Sequence, residues 1–147
     1  MKKIILLTLL SFTMLSAFSQ QPTNKKLNSF CNKFSKAVMS GSPEKCLKFF
    51  DEDYVKAQHD GFLEGETEQF LSEFLLVNSI FLNEDSEGVL PAFSDISDIK
   101  FIDIITNAEG EKAALFEITL KKGCKFSMHA HIRILNKNEF GFYGAMG

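Results

Sequence analysis

The sequence predicts an α+β domain in which N-terminal helices cover one face of an antiparallel sheet. Three observations carry this. Between Asn24 and Val77 the apolar residues recur at spacings of three and four, and after Asp98 the period drops to two. Short turn signals, NAEG, KKG and NKNE, separate the period-two runs, so successive strands pair with their neighbours in a meander.

The first helix is predicted over Asn24 to Ser40, where Leu27, Phe30, Cys31, Phe34, Ala37 and Val38 make a single apolar face. Gly41 ends it, and Ser42-Pro43-Glu44 opens a second, short helix, with Ser42 as N-cap and Pro43 at the first helical position. Cys46, Leu47, Phe49 and Phe50 then supply the buried side of that segment. Residues 51 to 65 read as a connector with one turn of helix or a short strand around Tyr54. A third helix is expected over Glu66 to Val77, with Phe70, Leu71, Phe74 and Leu75 on one side. Asn83 to Asp98, punctuated by Gly88 and Pro91, reads as loop. Four strands follow: residues 99 to 106, residues 113 to 120, the run CKFSMHAHIRIL, and FGFYGAM.

The first twenty residues read as an address. Lys2 and Lys3 precede an apolar run from Ile4 to Leu10 that continues, diluted by Ser and Thr, to Phe18. This is the pattern of a secretory signal peptide. The run is shorter and richer in hydroxyls than the roughly 20 apolar residues of a spanning helix. Small residues at Ala17 and Ser19 place cleavage after Ser19, with cleavage one residue later as the alternative. Residues 1 to 19 are thus expected to be a leader and residues 20 to 147 one exported domain, periplasmic or secreted. No cysteine stands at the cleavage point, so no lipid anchor is expected, and no membrane span is expected once the leader is removed.

Without Lys2 and Lys3 the chain carries 14 Lys and Arg against 19 Asp and Glu. Residues 51 to 111 hold 16 of those acids and two Lys, a stripe that repels phosphate, so nucleic acid is not an expected partner. Fourteen of the 16 Phe lie beyond the leader and there is no Trp, so the core has to be built around phenylalanine. Of the three cysteines, Cys31 and Cys46 fall on consecutive predicted helices; they either form one disulfide or act as small buried apolar side chains, and Cys124 is left over.

The order of elements, the SGSPEKCLKFFDEDYV stretch, the helix at TEQFLSEFLL and the closing strands HAHIRILNKNEFGFY together resemble the nuclear transport factor 2-like superfamily, also called SnoaL-like. The likeness covers most of the chain after the leader, through pattern and order. It implies a helical hairpin, a third helix and a strongly bent sheet wrapped into a cystatin-like cone. It also implies that ligands enter near the open end of the cone and that two copies meet on the convex sheet face. The superfamily hosts enzymes and non-enzymatic binding modules alike, so the likeness names no reaction.

The stretch SMHAHIRIL holds the first candidate site. Alternation puts Cys124, Phe126, Met128, Ala130, Ile132 and Ile134 on the face toward the helices, and Lys125, Ser127, His129, His131 and Arg133 on the other. Two His at spacing two reach a common metal ion, but zinc needs at least one further ligand. A three-residue turn centred on Gly123 would set Glu117 opposite His129 and supply it; a register two steps away would put Leu115 there instead. Without a metal, this face is the wet side of a strand, or a contact surface sensitive to pH near the ordinary imidazole pKa of about 6.5. The second candidate is the connector, where His59 and Asp60, with Tyr54 and Glu64 nearby, are the raw material of acid–base catalysis. The third is a pocket between the third helix and the inner sheet face, lined by Phe116, Phe126 and Met128 with Tyr54 at its mouth, suited to a small apolar or amphipathic ligand.

Other motifs fall short. Asn83, Asp85, Glu87 and Gly88 imitate a calcium loop, but its twelfth position is Ser94 rather than Glu. No Gly-rich phosphate loop or other cofactor signature occurs. The expectation is a binding module for a small ligand, a protein partner or a second copy of itself. The alternative is an enzyme, acid–base at His59 and Asp60 or metal-assisted at His129 and His131.

Overall fold

The computed structural model describes residues 24–58, 65–82, 88–136 and 138–146. The helical part comes first: α1 (Asn24–Met39), α2 (Pro43–Leu47), α3 (Glu52–Gln58), α4 (Glu66–Leu76) and α5 (Ser79–Leu82). One 3-10 turn, Phe93–Asp95, leads into β1 (Ile96–Thr106), β2 (Lys112–Leu120), β3 (Lys125–Asn136) and β4 (Glu139–Met146). The strands form one antiparallel sheet in the order β1-β2-β3-β4. The α+β class and the N-terminal position of the helices are therefore as the periodicity requires. No helix among the described residues is long and apolar enough to cross a membrane. The leader expected at residues 1 to 19 lies outside the described residues, as do His59, Asp60, Glu64, Asn83, Asp85 and Glu87.

Phenylalanine binds the two layers together. Phe34 of α1 is fully buried and its ring meets Phe49, Phe50, Phe116 and Phe142 at centroid distances of 4.8 to 5.9 Å. Phe142 of β4 also contacts Phe30 and Phe74, and Phe50 contacts Phe70 and Phe74 of α4. Most of these contacts are edge-on or tilted, the arrangement the ring quadrupole favours, each adding about 0.5–1.5 kcal/mol beyond the burial itself. The inner sheet face supplies Ile99, Ala114, Phe116, Ile118, Phe126, Met128, Ala130 and Ile132, all buried.

The segment after α2 is joined to the sheet by backbone. Phe50 makes a parallel bridge to Phe142, in which the Phe142 amide donates to the Phe49 carbonyl and the Asp51 amide donates to the Phe142 carbonyl, both at 2.9 Å. This approach is possible because residue 141 is glycine: a Cβ there would lie 2.7 Å from the Asp51 amide nitrogen. Asp51 then caps α3, accepting a hydrogen bond from the Tyr54 amide at 2.9 Å. That cap explains why the connector is a seven-residue helix rather than the single turn or strand around Tyr54 that the sequence suggests. The Ser42 hydroxyl, by contrast, makes no cap hydrogen bond and donates instead to Glu44 at 3.2 Å.

Two strand details depart from expectation. β1 begins at Ile96, three residues early, because register shifts between Ile96 and Asp98 and between Phe101 and Asp103 break its alternation. These bulges also blunt the sheet's free edge. In the β2–β3 hairpin the turn is Lys121-Lys122-Gly123, closed by the Leu120 amide on the Cys124 carbonyl at 2.8 Å. Gly123, at φ +87°, is the last turn residue and not its centre. The register is therefore two steps from the one that would join Glu117 to His129: Glu117 pairs with Ser127, and Leu115 stands opposite His129.

Gly141→Ala is expected to cost about 1–3 kcal/mol in urea denaturation, the range for forcing atoms into a packed site. Gly144→Ala on the same strand, where a Cβ would meet only a His131 ring carbon at 3.9 Å, should be near neutral. Equal effects would remove the close approach at Gly141 as the reason for its glycine.

Candidate functional site

The inner face is filled. Phe116 and Met128 have no surface that a water molecule could touch, and Phe126 is buried at 5% exposure. Phe116 packs against Phe34, Phe101 and Phe142. Tyr54 stands half-buried on α3 against Phe50, Phe70 and Phe74, and burial, with the charge of Glu73 second, raises its phenol above the ordinary value. As packed, the residues expected to line a pocket serve as core.

The outer face is divided in two. Toward the β2–β3 turn its charges are paired: Lys125 with Glu117 at 2.9 Å and Lys100 with Asp98 at 3.1 Å. Toward the other end two cross-strand rows are mostly uncharged. One runs Ile105, Ala113, His131, Gly144; the next runs Asp103, Leu115, His129, Met146. Ile105 and Met146 are 40% and 56% exposed, and the bulge turns Ile102 out to 51%. Both imidazoles are half-buried in this zone.

A polar string closes the zone on the β4 side. The His131 ring lies 5.8 Å from Tyr143, the Arg133 guanidinium lies over Tyr143 at 4.9 Å, and Arg133 reaches Asp51 Oδ1 at 3.1 Å across Gly141. Asp51 is almost wholly buried while Arg133 is half exposed. The string thus ties α3 to the outer face through one ion pair. Sequence alternation identified Arg133 on this face; its partner, 82 positions earlier in the chain, left no local signal.

Of the two registers open to the hairpin, the one observed puts Leu115 opposite His129, so His129, His131 and Glu117 are not brought together, and the Glu117 carboxylate is engaged by Lys125. Among the described residues no three His, Cys, Asp or Glu side chains come together in a way that could hold a metal ion. Cys31, Cys46 and Cys124 are all free thiols, so the Cys31–Cys46 bond is not formed. Burial pushes Cys31 up to about 12, opposed by a backbone hydrogen bond. Burial likewise pushes Cys46 up to about 12, aided by Glu44 and opposed by Lys48. These two thiols are poor nucleophiles.

No family profile, curated protein or solved structure matches the chain.

Because Cys31 keeps its proton in the fold to about pH 12 but loses it near 9 when unfolded, the folded state binds more protons between those values and stability falls as pH rises through that window. Urea denaturation from pH 8 to 10.5 should show a shallower slope in Cys31→Ala, the difference growing with pH and approaching about 1.4 kcal/mol per pH unit above pH 10. An unchanged slope would mean the thiol is ionised or exposed in the fold.

Proposed function

We propose that the chain is a binding module rather than an enzyme, and that it works through the uncharged half of its outer sheet face, with a second copy of itself as the partner. The observation that carries this is Leu115 standing opposite His129, at the centre of two rows that include Ile105, Ala113 and Met146. A half-exposed sheet face normally alternates polar residues outward; here apolar and imidazole groups take those positions, while the Lys125–Glu117 and Lys100–Asp98 pairs lie at the other end. A patch with little net charge suits a symmetric contact, where each residue meets the same patch on its mate. The packing of Phe116 and Met128 supports a surface role over a ligand in the interior. The resemblance to nuclear transport factor 2-like domains points the same way, since it implies pairing on the convex sheet face. On this reading the leader at residues 1 to 19 delivers the module outside the cytoplasm.

Sedimentation velocity over about 1 to 200 µM, the range of weak self-association, should show a concentration-dependent dimer. Leu115→Arg should make the protein monomeric with an unchanged circular dichroism spectrum, and Lys100→Gln in the ion-paired half should leave the dimer intact. A wild-type monomer across the range, or a dimer indifferent to Leu115→Arg, would contradict the proposal.

A further inference from the structure

Two imidazoles in the outer-face zone are left without partners on their own chain. His129 and His131 stand two apart on the outward side of β3, both half-buried. Across the neighbouring strands His129 meets Leu115 and Met146, and His131 meets Ala113 and Gly144. None of those four carries a charge or a strong hydrogen-bonding side chain. Among the described residues neither ring makes a hydrogen bond or an ion pair, and the one ring contact is His131 with Tyr143 at 5.8 Å. A neutral imidazole keeps one nitrogen as an acceptor, the atom that binds a metal ion.

We infer that these rings form a zinc site shared by two copies of the chain, each copy supplying His129 and His131. The inference rests on the outer-face association proposed above and adds the ion that the two copies hold in common.

The ligand count argues for sharing. Zinc in a structural site takes four ligands, imidazole nitrogen among them, at about 2.0–2.1 Å. One copy offers two. Among the described residues no third His, Cys, Asp or Glu side chain joins them. Glu117, one row away, is held by Lys125, and Asp103 lies two strands from His129 with its carboxylate accepting the Ile104 amide at 2.7 Å. A two-fold axis over β3, between the two histidines, doubles the pair to four with no further residue.

The spacing and surroundings agree. Sheets packed face to face lie about 10 Å apart, so each copy spans about 5 Å. An imidazole extended by one Zn–N bond covers that distance. Leu115 and Met146 flank His129 on both sides and, in the contact, keep water from the ion. Arg133, the next outward residue of β3, is already paired with Asp51 at 3.1 Å. Calcium and magnesium take oxygen ligands, which the four positions beside the rings lack.

The test follows the metal-free protein by sedimentation velocity, with and without zinc chloride, and counts bound zinc by titration calorimetry. The expected result is one zinc per two chains and self-association tightened about tenfold or more. The His129→Gln, His131→Gln variant should keep the metal-free dimer and lose both effects, and magnesium chloride should have none. Zinc bound once per chain without effect on association, a metal-free dimer indifferent to zinc, or a zinc effect retained in the double variant would each overturn the inference and leave the association standing. A monomer with and without zinc would remove both readings. A dimer that forms only with zinc and is lost in the double variant would uphold the shared site and remove the metal-free contact.

Discussion

The contact on which the rest of this structure depends is the parallel bridge between Phe50 and Phe142. Two backbone hydrogen bonds of 2.9 Å fasten the end of the α2 segment to the edge of β4, and the absence of a side chain at Gly141 lets the chains approach. Everything nearby follows from that position. Phe50 and Phe142 become the junction at which rings from α1, α4 and the sheet converge. Asp51, one residue on, starts α3 and meets Arg133 from the far side of β4. A backbone contact of this kind also covers part of an edge that would otherwise present unpaired donors and acceptors to solvent.

Asp51 illustrates how burial and charge are reconciled. A carboxylate so little exposed would be costly alone, but it accepts the Tyr54 amide at a helix N-terminus and an arginine held in place by Tyr143. The arginine remains half exposed and hydrated, so only one of the two charges is fully withdrawn from water. The pair therefore fixes where α3 sits without requiring a buried cation. It also ties the helical layer to the face proposed for association.

Helices and strands were legible because their physics is local. The three-and-four spacing from Leu27 to Val38 and the alternation from Lys125 to Arg133 each follow from which side must face the core, and the buried positions match both. The hairpin register was not legible, since it turns on whether Gly123 is the middle or the last residue of its turn, a choice that moves Glu117 away from His129. The start of β1 was hidden by bulges that place Ile96 and Ile99 on one face at spacing three. The Phe50–Phe142 bridge joins positions 92 apart and depends on what residue 141 lacks, which no periodicity records. The division of the outer face emerges only once all four strands are in register.

The most direct test of this account is native-state hydrogen exchange at the amides of Asp51 and Phe142. If the bridge organises the fold, both protons exchange only when the whole domain unfolds, with the same opening free energy as the amides of β2 and β3. Exchange of Asp51 and Phe142 through a local opening, about 2 kcal/mol or more below that of the sheet interior, would show that the segment is laid on a finished sheet and holds nothing else in place.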